Sequence, residues 1–236
     1  MTVLQSATSS PTTSKRHDLR TFQRYVAAFV LIVPATAVAI GRLFAVDDSG
    51  GTAKALEEIA ANPDRAFTFA LLGFLASLTL VPAIFAAARL ARRRRPILAI
   101  IALGVNAVAY LGGYALGGLD LMYVASGSFA VEHRDGAAAL IDAVWQTGLG
   151  GFSTLLFVFG HVIGTILLAL ALRGSIATAG WVAMLLSQPG HVVAFTVLQS
   201  PALDAAAWAL MAFGFLCCAV AILRTPNDEW DLGPRA

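Results

Sequence analysis

Long apolar runs alternate with short polar stretches along most of the chain, and that alternation predicts an all-α fold, a polytopic transmembrane bundle of six helices. The runs cover residues 22–45, 66–90, 96–118, 150–172, 181–200 and 205–223. Each is about as long as the ~20 helical residues that cross the ~30 Å hydrocarbon core of a bilayer.

The polar stretches complete the plan. Residues 1–20 form a basic tail without apolar periodicity, expected to be disordered and cytoplasmic. It does not read as a secretory signal, because the apolar run that follows is too long and lacks a small-residue cleavage site. Residues 21–224 are the transmembrane domain, and 225–236 form a polar, loose cytoplasmic tail. The loop at 46–65 contains a helix-like pattern, TAKALEEIAAN. In the longest connection, 120–148, Leu140, Ile141, Val144 and Trp145 recur at helical spacing, which predicts a short interfacial helix.

Composition agrees with lipid as the main solvent: 58% of the residues are hydrophobic, 13% are charged, and the mean hydropathy is +0.76. A net charge of +2 gives no reason to expect nucleic acid as a partner. Its distribution is more informative. With both ends inside, Lys15, Arg16, Arg20, Arg24, Arg89, the four arginines at 92–95, Arg173, Arg224 and Arg235 share the cytoplasmic side. Only Arg42, Lys54, Arg65 and Arg134 fall outside, a split of 12 to 4 that supports an even number of crossings in a bacterial cytoplasmic membrane. The arginine run reads as a topology anchor, with contact to anionic headgroups as its sharper alternative. Adjacent Cys217 and Cys218 lie inside a span and read as packing residues.

The fifth run, WVAMLLSQPGHVVAFTVLQS, interrupts its apolar pattern with Ser187, Gln188, Pro189, Gly190 and His191. Proline and glycine weaken a helix, so a bend is expected at Pro189–Gly190 with an imidazole and a carboxamide beside it. Counting inward from the outer ends places His191 and His161 near the midplane, on spans joined by a short turn. On the third span Asn106, Tyr110 and Tyr114 recur at every fourth position as a polar stripe, and Ser77 and Thr79 lie at similar depth on the second. The ligand-binding candidates are His191, Gln188, His161, Asn106 and Tyr110. Helix-to-helix hydrogen bonding is the plainer role for all of them. Histidines are costly in hydrocarbon, so for His161 and His191 the two roles balance. Gly113-x-x-x-Gly117 and Gly160-x-x-x-Gly164 are small-residue faces that permit close helix approach, within the chain or in a homodimer.

Around the outer loop, Asp120, Glu132 and His133 would be the catalytic groups if the protein were an enzyme, although a solvated turn is the plainer reading of them. No P-loop, GxSxG elbow or HExxH pattern occurs, and no lysine lies in a span. Two histidines on short-loop neighbours suit neither a bis-histidine haem nor a complete zinc site, so no cofactor or metal is expected.

The basic tail, six spans, arginine-rich first cytoplasmic loop and long outer loop after the third span together resemble the six-helix integral membrane proteins of unknown function common in actinobacteria. The resemblance covers about residues 20–224, rests on architecture, and implies no activity. Three functions follow as expectations. The first is binding or passage of a small, mostly apolar ligand through a polar midplane pocket at the fifth span. The second is an enzyme acting on a lipid or isoprenoid at the outer interface, and the third is a non-catalytic accessory or immunity protein. Membrane lipids are the partners common to all.

Overall fold

A computed structural model describes residues 19–47 and 50–230, except for the side chains of 115–117. The expected tail at 1–18 and the end of the C-terminal tail, with Lys15, Arg16 and Arg235, lie outside the described residues. The described chain is all-α: α1 (Arg20–Arg42), α2 (Thr52–Ala61), α3 (Pro63–Ala91), α4 (Pro96–Gly127), α5 (Val131–Gln146), α6 (Gly148–Leu172), α7 (Thr178–Val192), α8 (Pro201–Arg224) and α9 (Asn227–Trp230). A π-helical turn, Val193–Val197, separates α7 from α8. Helices α1, α3, α4, α6 and α8 are each long and apolar enough to cross a membrane, so this is a multi-pass helical membrane protein.

The run expected as a fifth span differs from its prediction. Helix α7 has 15 residues, about 22 Å, too short to cross hydrocarbon unaided, and the next five residues widen into the π turn. The break falls after Val192, not at Pro189–Gly190. Proline's fixed φ is helical, and its missing N–H removes only the bond back to Leu185, which a helix wedged between α6 and α8 tolerates. The chain turns back through Gln199, whose φ of 46° is left-handed. Ser200 then caps α8 by accepting from the Leu203 amide at 3.4 Å, and Pro201 occupies the first helical turn.

In packing order the long helices close a ring, α1–α3–α4–α6–α7–α8 and back to α1, with α3 also touching α6 and α8 across it. The core is built from small and branched side chains: Ala83, Ala87 and Ala91 of α3 face Leu168 and Leu172 of α6 and Phe215 and Ile222 of α8. Alanines recurring at every fourth position give α3 a smooth face for close packing. Glycines do the same elsewhere. A Cβ on Gly214 of α8 would lie 2.1 Å from Met184 Cγ of α7, and one on Gly180 would lie 2.6 Å from Cys217 Cβ. Cys218 is buried and free; Cys217 is free and packs over Gly180.

One end of the ring is covered by a cap. Helix α4 does not stop at residue 118 but runs 32 residues, about 48 Å, well beyond a hydrocarbon core. Its last turns bury Leu119 and set Met122, Tyr123 and Val124 against Leu56 and Ile59 of α2 and Ile141 of α5. That packing extends the helix where glycines and Asp120 suggested a loop. Thr52 ties the three cap helices together, donating to Asp142 at 2.5 Å and lying 3.2 Å from the Tyr123 hydroxyl. The helical patterns read in both connections are therefore real helices, and α5 begins nine residues before Leu140, the first of the residues that suggested it.

The opposite end gathers the arginines. Arg24 donates to the Thr225 and Leu223 carbonyls, Arg93 pairs with Glu229 at 2.8 Å, and Arg95 donates to the last turn of α6 at the Leu170 carbonyl, 3.0 Å. Arg89 stacks 4.1 Å from the Trp230 ring and donates to its carbonyl. The tail expected to be loose is thus docked over Asn227–Trp230, with Trp230 only 6% exposed.

Candidate functional site

Helices α4 and α6 pack antiparallel and closely because α6 offers glycines where α4 presents side chains. A Cβ on Gly160 would lie 2.6 Å from Ala109 Cβ, and one on Gly164 would lie 2.7 Å from Asn106 Cγ. Gly113 likewise receives Phe157 of α6, 2.5 Å from where a Cβ would sit. Gly113, Gly160 and Gly164 are therefore used in packing inside the protomer.

The close approach creates two polar rungs. Thr165 donates to Asn106 Oδ1 at 3.3 Å, while Asn106 Nδ2 donates to the Ala102 carbonyl at 2.8 Å. One turn along, Tyr110 and His161 lie with ring centroids 6.1 Å apart. Tyr114 does not extend the stripe. Positions eight apart diverge by about 80° around a helix, so Tyr114 is 39% exposed and donates instead to the Ser77 carbonyl of α3. Thr79 bonds its own helix at the Leu75 carbonyl. Asn106 and Tyr110 join the site; Ser77, Thr79 and Tyr114 do not.

From α7, His191 meets this array with its ring centroid 5.7 Å from that of His161. The approach expected from the short α6–α7 turn is thereby observed. Three residues that the sequence did not single out complete the surroundings. His191 Nδ1 donates to Asp204 Oδ1 at 2.5 Å, and Arg42 Nε lies 2.9 Å from Asp204 Oδ2. This second contact is an ion pair by distance, although the Arg42 N–H is not aimed along a hydrogen bond. Trp208 Nε1 lies 3.3 Å from the same His191 nitrogen and its ring faces His161 at 6.4 Å. Nδ1 has one position in the ring plane, so the shorter carboxylate contact takes it.

Asp204 lies in the first turn of α8 and is 1% exposed. His191, 5.7 Å from His161 in the middle of α6, therefore also reaches the first turn of α8. The compact π turn and the reversal at Gln199 bring the two together. Arg42, counted with the outer-side charges, lies in the last turn of α1 and also sits 5.2 Å over the Phe195 ring. An aspartate one turn inside an apolar helix was the available signal, since such a residue suits a helix N-terminus and is also suspect in lipid.

The hydrogen bonds fix the imidazole tautomers. A carbonyl only accepts, so the His161 Nδ1–H donates to Phe157 O at 2.6 Å, and Nε2 is left with a lone pair. Donation to Asp204 likewise places a proton on Nδ1 of His191. His161 Nε2 is buried without a partner, as are Gln188 Oε1 and the Tyr110 hydroxyl. Gln188, one turn before His191 on α7, uses its amide nitrogen to donate to Ser187 Oγ at 3.1 Å. Two of the unpartnered groups are acceptors, His161 Nε2 and Gln188 Oε1; the Tyr110 hydroxyl can donate as well as accept, and the Trp208 N–H, 3.3 Å from a nitrogen that already carries a proton, is a donor beside them. Buried polar groups without partners cost ~1–3 kcal/mol each, so three in one region of a packed bundle call for a reason.

The outer-loop candidates are arranged differently. Asp120 lies within α4, while Glu132 and His133 are exposed in the first turn of α5. Among the described residues no hydrogen bond or ion pair joins the three. Comparison with protein families, curated proteins and solved structures finds no match. The site is accordingly read from its own geometry.

Proposed function

We propose that this protein binds or passes a small, mostly apolar ligand bearing one hydrogen-bond donor, such as a hydroxyl or amine, at the His161–His191 site. The observation behind the reading is the pair of buried acceptors without a donor, His161 Nε2 and Gln188 Oε1, beside the Tyr110 hydroxyl and the Asp204-anchored His191. Aromatic rings surround them: Phe157 lies tilted 4.6 Å from His161, and Trp208 stacks on His161 and meets His191 edge-on. Apolar walls with a few convergent polar groups are the usual composition of a small-molecule site.

Six crossings with both ends cytoplasmic fit the same reading. Arg20 donates to the Asn227 carbonyl, so the two ends of the described chain meet at one end of the bundle, as an even number of crossings requires. The α7–π segment supplies the sixth crossing, 15 plus 5 residues. The arginines gather at that end, which the positive-inside bias assigns to the cytoplasm of a bacterial membrane, and the cap and the site then lie toward the outer face.

The test is mass spectrometry of small molecules retained by purified protein, compared between wild type and His161→Phe. A retained hydroxyl- or amine-bearing molecule lost in the variant, with the fold intact, supports the reading. Identical retention by both proteins overturns it.

A further inference from the structure

At the arginine-rich end, an open groove of about 860 Å³ runs between α1, α3 and α4, away from the histidine site. Its floor is recessed because Ala27, Ala86 and Ala99 leave room where larger side chains would fill the helix junction. Phe22, Phe85 and Ile100 stand at its rim and are more than half exposed. Its chemistry changes along its length. The deep end is lined by Val30, Val81 and Pro82, and the shallow end by Gln23, Arg89, Arg92 and Trp230.

The span from Val81 to Arg92 along α3 is about 16 Å, close to half the ~30 Å hydrocarbon core of a bilayer. The groove therefore has the reach of one leaflet, apolar where acyl chains lie and cationic at headgroup depth. The cations differ in their commitments. Arg89 is engaged by Trp230 and Arg93 by Glu229. The Arg92 side chain makes no hydrogen bond or ion pair among the described residues, and its Nε is buried without a partner. A half-buried guanidinium over an apolar recess lacks the anion that would balance it, and Trp230 beside it is the residue type that settles at the headgroup boundary.

We infer that this groove holds an anionic phospholipid of the leaflet on the arginine-rich side, with its phosphate on Arg92 and an acyl chain along Val30 and Val81. The guanidinium fork suits a phosphate, which accepts two parallel N–H bonds. Other arginines of the run face elsewhere: Arg94 lines a separate small pocket with Gly174 and Ser175. That arrangement separates a defined site from a diffuse basic surface.

The experiment is native mass spectrometry of protein exchanged between nanodiscs of phosphatidylglycerol and of phosphatidylcholine, for wild type, Arg92→Gln, Arg94→Gln and Val30→Trp. Wild type should retain phosphatidylglycerol preferentially. Arg92→Gln should reduce that preference about fivefold, the size of one basic contact at a membrane surface. Arg94→Gln should leave it unchanged. Val30→Trp, which fills the deep end, should reduce retention of both lipids while the protein stays monodisperse. Equal losses in Arg92→Gln and Arg94→Gln, or no preference in wild type, would overturn the inference. Ligand retention at His161 is read separately in the same spectra, so failure of either reading leaves the other standing.

Discussion

His191 and Asp204, thirteen residues apart, meet at 2.5 Å across the π turn that joins α7 to α8. Asp204 in turn holds Arg42 of α1 at 2.9 Å, so one carboxylate connects the last hairpin to the first helix. Removing one member of a buried pair leaves an uncompensated charge, which costs ~3–5 kcal/mol when both are fully buried. Arg42 is 24% exposed, and solvent relieves part of that cost. Asp204→Asn should therefore destabilise the bundle by about 3 kcal/mol. Asp204→Asn with Arg42→Gln should be less damaging than the sum of the single changes, with a coupling of ~1–3 kcal/mol. Unfolding of the four proteins in one detergent measures the cycle; additive losses would mean that the pair contributes nothing.

Close helix packing gives a second prediction. A Cβ at Gly214 meets both Met184 and the Gly180 carbonyl at 2.9 Å, and backbone cannot move aside as a side-chain tip can. Gly214→Ala should lower stability by ~1–3 kcal/mol, as overpacking does. At Gly190 the added atom would only touch Ala207 Cβ at 3.5 Å, and at Gly104 it meets nothing. Alanine should be tolerated at both, and raise helix propensity. Comparable loss at all three positions would refute the distinction.

Five of the spans were legible because a bilayer demands apolar length and little else, and residues such as Leu31, Ile84 and Phe215 sit in runs that meet that demand. The gathering of Arg24, Arg89, Arg93 and Arg95 at one end was legible for the same reason: it follows from positions along the runs and does not depend on partners. The arrangement around the histidines was only partly legible. His161 and His191 lie on consecutive helices, so a short turn announced their approach. Asp204 and Arg42 required knowing that α8 returns beside α1, a contact between distant parts of the chain. The end of α4 was hidden likewise, because its support comes from Leu56 and Ile59 of α2 rather than from its own glycine-rich sequence.

Docking of the C-terminal turn makes a third prediction. Trp230 is clasped by Arg89 and donates to Gln23 Oε1 at 3.3 Å, which holds the segment after the exposed Arg224 against α1 and α3. Trp230→Ala removes the ring and should release that segment. Trypsin should then cut after Arg224 at least about tenfold faster, as a local opening loses ~1.4 kcal/mol or more of protection. Mass spectrometry of the fragments reads the rate, and an unchanged rate would show that the segment is held by its other contacts, among them Arg93–Glu229, Arg24–Thr225 and Arg20–Asn227.

The most informative substitution separates a site from a packing contact. His161 presents a buried Nε2 lone pair to neighbours that do not donate to it. Phenylalanine keeps the ring against Phe157 and Trp208 and removes the unmet acceptor. It also gives up the bond to the Phe157 carbonyl, an oxygen in the helical backbone that can accept there without it. Relief of an unsatisfied buried group is worth ~1–3 kcal/mol, against ~0.5–1.5 for the lost bond. His161→Phe should therefore hold or raise stability while ligand retention disappears, the exchange of stability for function that marks binding and catalytic positions. His161→Ala would instead open a cavity and lose both, so alanine alone cannot discriminate. Thermal unfolding and small-molecule retention, measured on the same preparation, distinguish the two roles. A stabilised variant that binds as before would assign the histidine to helix packing; a destabilised one would mean that Nε2 already has a donor.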